Sequence, residues 1–481
     1  MKKLYILALV LTISFRISAQ KNSDKTEEIV FLSTNDIHGS IGNFARLAFV
    51  VDSIKKIYDN VFLLNAGDLF TGNPMVDMHK EKGFPVIDLM NKVGYSAATI
   101  GNHEFDYGQE VLNLRMKDAK FPFICANIVN KDGKLNTPKP YYQLKSKNNL
   151  NINILSVIDN SANGYPETHP SKIVGLQFPD PIQTALKYKK LSKKNNLLIA
   201  LTHIGIENDL VLAKQMPEID LIIGGHSHTF IDSLMIVNGV MITQVGGKLN
   251  FLGEIKLTVQ KGKILDKTYK VISLKGKTNV NNEIKNLVNS YNQNPLLKEV
   301  LGKAKAKLSG KEELGCFYTD ALREMSHFDI VFQNSGGIRI SEIPEGEITV
   351  ETIYKMDPFG NYLMGLNMSV DEIKSLIRAS FKEGDINLRV SGIHYTIVKE
   401  NNSIKEIQLT DYEGKPIDEN KTYFVGMNDY ILSTSQFTHA DKGKSQGVTT
   451  AEVVMDYVKK VGEINYSGVK RTFLKDLNAK N

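Results

Sequence analysis

The chain has 481 residues, of which 42% are hydrophobic and 23% charged, and its formal net charge is +6. This is an ordinary composition for a folded globular protein, at a length that favours two domains. The charge is too small to indicate nucleic-acid binding, and no basic stripe with interleaved aromatic residues is present, so we expect no nucleic-acid partner. Two cysteines, Cys125 and Cys316, cannot build a disulfide framework, and separately buried thiols are favoured over a single bridge.

Residues 1–19 have the pattern of a secretory signal. Lys2 and Lys3 precede a short apolar stretch, and Ala19 ends the segment with a small residue. We predict cleavage after Ala19 and a periplasmic or secreted protein, with a buried N-terminal strand as the alternative. The apolar stretch is too short for a comfortable membrane span, and no other apolar run approaches about 20 residues. The sequence therefore predicts no membrane span.

The first half of the chain alternates short β-rich runs with longer mixed segments. This alternation is typical of a layered α/β domain, which we assign to residues 26–274. Hydrophobic periodicity predicts helices over 44–57 and 86–93. Predicted strands are 29–32, 61–64, 97–100, 151–157, 197–201 and 221–223.

The composition changes after residue 274. Residues 275–305 are polar, rich in Asn and Lys and helical in part, and we interpret them as a linker. A second domain is predicted over 306–481. Its predicted helices are 316–325, 370–381 and 449–461, and its predicted strands are 330–332, 390–398, 404–410 and 423–427.

Polar side chains follow the predicted strands of the first domain at the points where those strands end. Ligands bind at the carboxyl ends of strands in open α/β sheets, and a mixture of oxygen donors and imidazoles suits Zn, Mn or Fe better than Ca. Asp68 is the only carboxylate at its strand end, which makes it the natural bridge between two metal ions. The full set is Asp36, His38, Asp68, Asn102, His103, His203, His226 and His228.

Spacing within these clusters adds detail. Asp36-x-His38 and His226-x-His228 would each place two side chains on one side of an extended segment. In residues 101–106, the Asn102 amide oxygen can ligate a metal, His103 can move a proton, and Asp106 can orient that histidine.

The motifs Asp-Ile-His-Gly, Ala-Gly-Asp, Gly-Asn-His-Glu-Phe-Asp, Thr-His-Ile-Gly and Gly-Gly-His-Ser-His resemble those of the calcineurin-like metallophosphoesterases. Together with residues 334–339 and 358–361, they resemble the 5′-nucleotidase/UDP-sugar hydrolase family. The resemblance implies a layered β-sandwich metallophosphoesterase domain flanked by helices. It also implies a second, smaller α/β substrate-binding domain.

By this resemblance the chain holds two divalent metal ions (Zn, Mn or Fe). One ion would be held by Asp36, His38, Asp68 and His228, and the other by Asp68, Asn102, His203 and His226. A catalytic dyad would be formed by His103 and Asp106. The implied function is that of an exported dimetal phosphohydrolase, most simply a 5′-nucleotidase that hydrolyses nucleoside monophosphates with a metal-activated hydroxide.

The resemblance also implies substrate-binding residues in the second domain. Arg339 would hold an anionic group, Asn334 would pair with a sugar or base edge, and Phe359 and Tyr430 would sandwich the nucleobase. The partner is then a small-molecule phosphoester, and the sequence predicts no oligomeric state.

The second domain departs from the family pattern in two places. Residues 433–436, ending in Gln436, stand where the family usually has Gly-Gly-Asp, and Lys307 and Lys311 stand near where it has arginines. Three alternative activities therefore stay open: a 2′,3′-cyclic-nucleotide phosphodiesterase, a UDP-sugar hydrolase, or a hydrolase of another small phosphoester. A more remote alternative is a non-catalytic binding protein on a decayed scaffold.

Overall fold

The computed structural model describes residues 26–161, 164–193, 196–276, 278–382, 384–401 and 403–478. The described residues form two compact units, the first comprising 26–70, 82–168 and 172–290, and the second comprising 71–81, 169–171 and 291–478. The predicted signal segment, with cleavage after Ala19, lies outside the described residues and stays a prediction. No helix in the described ranges is long and apolar enough to cross a membrane.

Two mixed six-stranded sheets make up the centre of the first unit. In spatial order, the strands of one sheet are Lys263–Ser273, Phe251–Gln260, Glu27–Thr34, Val61–Asn65, Ala97–Thr99 and Phe123–Ile124. The strands of the other are Met235–Val237, Val240–Thr243, Leu221–Ile223, Asn196–His203, Asn151–Ile158 and Tyr141–Lys145. A short ribbon pairs Val129–Asn130 with Leu176–Gln177.

The two sheets share one hydrophobic core, so the unit is a β-sandwich. Ile29, Phe31 and Leu64 of one sheet cluster with Ile154 and Ile199 of the other, all with 0% of their surface exposed. Buried side chains on both faces explain why the central strands read as nearly continuous apolar runs.

Helices flank the sandwich. They are Phe44–Lys55, Phe84–Val93, Gln109–Asp118, Pro181–Leu186 and Gly205–Gln215, and Asn282–Tyr291 lies at the end of the unit. Gly205–Gln215 buries Leu212 and Ala213 against the outer face of the second sheet, where they meet Leu198 and Ile222. The helices therefore cover the faces of the sheets rather than the edge at which the parallel strands end.

A mixed five-stranded sheet organises the second unit. Its strands, in spatial order, are Leu388–Ser391, Ile330–Asn334, Tyr423–Asn428, Tyr362–Met368 and Lys444–Thr449. Two three-stranded sheets accompany it: Ser403–Thr410, His394–Glu400 and Thr472–Asp476, and then Gly346–Thr349, Val300–Ala304 and Glu463–Ile464. A small ribbon pairs Leu308–Ser309 with Glu342–Ile343.

The helices of the second unit begin at side-chain caps. Capping boxes at Thr349, Ser369 and Thr449 start three of them by satisfying backbone N–H groups that would otherwise lack partners. The helix Val370–Ser380 packs Ile373 and Leu376 into a core shared with the central sheet. The helices are Pro74–Asp77, Gly310–Ser326, Val350–Met356, Val370–Ser380, Asp429–Thr434 and Thr450–Val461.

The predicted α/β fold, a layered sandwich with helices and a second smaller α/β domain, is confirmed. The cysteines are free and buried, as expected. Three details differ. The predicted strand 390–398 is two strands, broken where Gly392 adopts a left-handed φ of 93°. The predicted linker contributes the strand Val300–Ala304, and the long pair Phe251–Gln260 and Lys263–Ser273 was not predicted.

Candidate metal centre

The polar residues predicted at strand ends come together at one edge of the first unit. The strands Glu27–Thr34, Val61–Asn65 and Ala97–Thr99 run parallel in one sheet, as do Asn196–His203 and Leu221–Ile223 in the other. Parallel strands deliver their carboxyl ends to the same edge of a sheet. The fold of the sandwich therefore brings residues that are far apart in sequence together in one cluster.

One group of side chains consists of Asp36, His38, Asp68 and His228. His38 Nε2 lies 3.0 Å from His228 Nε2, which in turn lies 3.3 Å from Asp36 Oδ1. His38 Nε2 is 3.7 Å from Asp68 Oδ2. Asp36, His38 and Asp68 are buried, whereas 39% of the His228 side chain is exposed, so the group opens to solvent on that side.

A second group shares Asp68 with the first and adds His203 and His226. His203 Nε2 lies 3.1 Å from Asp68 Oδ2, and its Nδ1 lies 2.7 Å from the carbonyl oxygen of Ala66. Donation from Nδ1 to that carbonyl leaves the Nε2 lone pair directed at the cluster. Asn102 belongs here too, because its Oδ1 lies 3.1 Å from both His203 Nε2 and His226 Nδ1.

The backbone at these positions contradicts one prediction. Asp36-x-His38 and His226-x-His228 are not extended, since all four residues have left-handed φ angles of 50°, 47°, 78° and 51°. Asp68 joins them with a φ of 55°. Each such residue costs about 1–3 kcal/mol, and such costs cluster at functional sites. The turned backbone, rather than strand alternation, brings each pair of side chains together.

Two glycines allow the close approach of the strand ends. A Cβ atom on Gly101 would lie 2.2 Å from Asp68 Oδ1, and one on Gly225 would lie 2.4 Å from the carbonyl oxygen of Ala66. Both contacts are far shorter than van der Waals distance. The cluster can therefore close only where these positions carry no side chain.

The electrostatics of the cluster centre on Asp68. Burial alone would raise the pKa of its carboxyl group, but the nearby His203, His103 and His38 bring that pKa well below its usual range. Burial lowers the pKa of His203, and the Asp68 carboxylate outweighs this effect and raises it to about 10. Asp68 is thus held as an anion, which is the form that binds a cation, whereas His203 must lose its proton before its Nε2 can serve as a ligand.

The residues present fit a binuclear metal site. Within each group, one ligand atom from every carboxylate and histidine lies within 4.8 Å of the others. Ligand atoms that share one ion at about 2.0–2.2 Å are separated by roughly 3 Å, as several of these pairs are. Two carboxylates, an amide oxygen and four imidazoles form a donor set typical of Zn, Mn or Fe.

His103 lies beside this centre but outside both groups. Its Nδ1 is 2.7 Å from Asp106 Oδ2, and its ring centroid is 5.0 Å from that of His38. Asp106 Oδ1 accepts a hydrogen bond of 3.1 Å from the Thr168 hydroxyl. The His103–Asp106 pair predicted from the sequence is therefore formed, and Thr168, which the sequence did not indicate, fixes the orientation of its carboxylate.

Glu104 is a further residue whose role the sequence did not reveal. Its buried carboxylate accepts backbone N–H bonds from Gly101 (2.6 Å), Asp68 (2.9 Å) and Leu69 (2.6 Å). Burial, reinforced by the nearby Asp68 charge, raises the pKa of Glu104 to about 7. The Glu104 side chain therefore links the loops that follow two of the strands. Its position inside the motif Gly-Asn-His-Glu-Phe-Asp is the sequence signal that could have indicated this role.

Replacing Glu104 with alanine is expected to destabilise the first unit. Three buried N–H groups would lose their acceptor, at about 1–3 kcal/mol each before water and relaxation compensate. We expect the melting temperature of chelator-treated protein to fall by roughly 6–12 °C. Glu104→Gln, which keeps the shape and one acceptor oxygen, should lose about half as much. A shift below about 2 °C for the alanine variant would show that the N–H groups find other partners.

The substrate-binding residues predicted in the second unit are all half-buried; Arg339 contacts Phe359, while Asn334 is connected to the helix of Tyr430 through a neighbouring residue. The Arg339 guanidinium lies 5.7 Å from the centroid of the Phe359 ring. Asn334 Oδ1 accepts a 2.9 Å hydrogen bond from Asn428, which also caps the helix Asp429–Thr434 that carries Tyr430. The Tyr362 N–H donates to Asp429 (3.1 Å), so the Phe359 loop and the Tyr430 helix adjoin.

The departures from the family pattern also have clear positions. Gln436 is exposed, beyond the end of the helix Asp429–Thr434. Lys307 forms an ion pair of 2.6 Å with Glu342. Lys311 donates to the carbonyl oxygen of Ile338, immediately before Arg339.

Comparison with known proteins agrees with both units. Residues 29–230 match the calcineurin-like phosphoesterase family, and residues 298–441 match the 5′-nucleotidase C-terminal domain. The chain thus combines a calcineurin-like phosphoesterase domain with a 5′-nucleotidase C-terminal domain. This pair of domains, with two groups of residues that could each hold a metal ion, makes it a metal-dependent phosphoester hydrolase.

Several relatives align with most of the chain. The trifunctional nucleotide phosphoesterase YfkN of Bacillus subtilis is 28% identical over 90% of this chain, which covers 34% of that protein's length. A 5′-nucleotidase of Vibrio cholerae is 28% identical over 74% of this chain and 76% of its own. The structure of a 5′-nucleotidase precursor from Thermus thermophilus superposes with a TM-score of 0.81, at 24% identity, over 94% of this chain and 100% of its own.

Proposed function

We propose that this protein hydrolyses nucleoside 5′-monophosphates to nucleoside and inorganic phosphate. The observation that carries the proposal is the pair of ligand groups that share Asp68 next to the His103–Asp106 pair. A nucleotide substrate is supported by the activities for which the Bacillus subtilis and Vibrio cholerae relatives are named.

We assign the ligands as the family resemblance implies. Asp36, His38, Asp68 and His228 would hold one ion, while Asp68, Asn102, His203 and His226 would hold the other. When bound, two such ions polarise phosphoryl oxygens and lower the pKa of water, which makes hydrolysis feasible near neutral pH. The chain's own contribution is a fixed, mostly buried donor set whose second hydrogen bonds, such as that from His203 to Ala66, orient each ligand.

His103 serves as the proton-bearing group. Donation from its Nδ1 to Asp106 leaves Nε2 on the opposite side of the ring, where a protonated imidazole can stabilise charge on the phosphoryl oxygens or donate to the leaving oxygen. Thr168 holds Asp106, which in turn holds the ring. No covalent enzyme intermediate is required by this arrangement.

The nucleoside is recognised by the second unit. Phe359 and Tyr430 supply aromatic faces for the base, a mode of binding worth about 1–3 kcal/mol per base and tolerant of base identity. Arg339, stacked on Phe359, and Asn334 supply polar contacts. The Gln436 amide can accept hydrogen bonds from a ribose diol and donate hydrogen bonds to it, in place of the carboxylate that the family usually has.

A phosphate-release panel on the purified protein with Mn or Zn tests the proposal. The panel contains AMP, UMP, ADP, a UDP-sugar, 2′,3′-cyclic AMP, bis(p-nitrophenyl) phosphate and a sugar phosphate. We expect kcat/KM for AMP and UMP to exceed that for the sugar phosphate by at least about tenfold, the value of one stacked base.

Other outcomes of the panel point elsewhere. Preference for 2′,3′-cyclic AMP or the UDP-sugar would replace the proposed substrate while keeping the metal centre. Equal rates on all esters would mean that the second unit serves another substrate. A protein that binds no metal and hydrolyses nothing would be a non-catalytic binding protein.

A further inference from the structure

The loop that carries Phe359 is held at both ends by one buried residue. This loop, residues 357–361, connects the helix Val350–Met356 to the strand Tyr362–Met368. At one end, the Thr450 hydroxyl donates to Asp357 Oδ2 at 2.6 Å. At the other, the Thr450 N–H donates to the carbonyl oxygen of Asn361 at 2.9 Å.

Asp357 is the centre of this arrangement. Besides Thr450, its carboxylate accepts a short hydrogen bond from the Tyr318 hydroxyl, and the backbone N–H of Phe359 donates to it as well. Asp357, Tyr318 and Thr450 are all buried, with 1%, 0% and 0% exposure. We call these three residues the loop clamp.

The loop clamp is costly as a purely structural element. Among the described residues no lysine, arginine or histidine forms an ion pair with Asp357, so its buried carboxyl group depends on hydrogen bonds alone. Burial accordingly raises its pKa. Burying a carboxyl group costs free energy that its hydrogen bonds must offset, whereas an apolar side chain at the same position carries no such cost. A buried, fully hydrogen-bonded carboxyl group is better explained by the fixed geometry that it gives the loop.

The clamp also reaches Arg339. The Arg339 backbone N–H donates to the carbonyl oxygen of Met356 at 2.8 Å, one residue before Asp357. Its guanidinium then lies 5.7 Å from the Phe359 ring centroid. Phe359 and Arg339 are therefore held relative to each other by backbone that the clamp immobilises.

We propose that Tyr318, Asp357 and Thr450 are positioning residues that determine nucleoside affinity by fixing the Phe359 ring and the Arg339 guanidinium stacked on it. This inference rests on the proposed function and deepens it. The clamp itself does not touch the substrate. If the loop clamp is loosened, the Phe359 ring can adopt more positions. Binding the base must then restrict the ring again, and this entropic cost lowers the affinity. The metal ligands lie in the other unit and are unaffected.

Tyr318→Phe and Thr450→Val each remove one hydroxyl and keep the side-chain shape. We expect each to raise KM for AMP roughly tenfold, a loss comparable to that of one stacked base. The kcat for AMP and the kcat/KM for bis(p-nitrophenyl) phosphate should stay within about twofold. Tyr457→Phe is the matched control, because its buried hydroxyl pairs with the Tyr466 hydroxyl (3.1 Å) rather than with the Phe359 loop. It should leave both substrates unchanged.

A double variant shows whether the effect passes through Phe359. Phe359→Ala should raise KM for AMP, and adding Tyr318→Phe should raise it no further, because the ring to be positioned is gone. Full additivity of the two changes would overturn the inference, as would equal losses on AMP and bis(p-nitrophenyl) phosphate. Wild-type protein without preference for AMP would instead overturn the proposed function, and the inference with it.

Discussion

Replacing Asp68 with alanine is expected to abolish turnover. The carboxylate belongs to both groups of proposed metal ligands, so its removal would take a donor from each ion at once. Losing metal stabilisation of the transition state, worth several kcal/mol, lowers kcat by about 10³-fold or more. Bound metal measured by mass spectrometry should fall from two ions per chain to one or fewer.

The control for this variant is Asp266→Asn, which changes an exposed carboxylate on the strand Lys263–Ser273. It should keep full activity and metal content. Circular dichroism must show that Asp68→Ala is folded. A folded Asp68→Ala protein that retains both ions and more than a tenth of its activity would refute the bridging role of Asp68.

Replacing His103 with alanine should lower kcat by about 10²–10⁴-fold while both ions stay bound, because in the proposed mechanism the imidazole moves a proton and is not a metal ligand. The loss should be larger for AMP than for bis(p-nitrophenyl) phosphate. A ribose alkoxide needs protonation to leave, whereas p-nitrophenolate leaves easily without it. Steady-state kinetics on both substrates and metal analysis of the same preparation measure this.

Two further variants serve as controls for the role assigned to His103. Asp106→Asn should cause a smaller loss, about 10–100-fold, because the histidine remains but is less well oriented. His327→Asn, at an isolated histidine of the second unit, should change nothing. Loss of both ions in His103→Ala would mean that His103 is a ligand, and an equal loss on the two substrates would argue against donation to the leaving oxygen.

The sequence predicted which strand-end residues come together better than it predicted the backbone conformation of those residues. Strand ends in a parallel sheet meet at one edge whatever their separation along the chain, so the residue pattern alone was enough to place Asp68 and His203 together. The left-handed backbone at Asp36 and His228 could not be predicted in this way, because it depends on bonds between loops, such as that from the Asp36 N–H to the Gly67 carbonyl oxygen. The Asp-x-His and His-x-His spacing alone predicted extended segments at these positions.

The sequence also did not reveal residues whose role is to accept hydrogen bonds from backbone N–H groups. Glu104 accepts N–H groups from separate loops, and only the folded chain shows which donors lack partners. The strand Lys263–Ser273 was missed for another reason. It is largely exposed, and its polar residues obscure the alternation that identifies a strand.

The left-handed backbone of the metal centre narrows the choice of side chains that can occupy it. Asp36, His38, Asp68, His226 and His228 all have positive φ. Apart from glycine, the residues that tolerate this conformation best are asparagine, aspartate and histidine, whereas β-branched side chains are strongly disfavoured there. Backbone shape and coordination chemistry thus select the same few residue types. An engineer who sought to shift the centre towards thiolate-preferring metals with cysteine, or to lengthen a ligand with glutamate, would meet a conformational penalty in addition to any change in metal affinity.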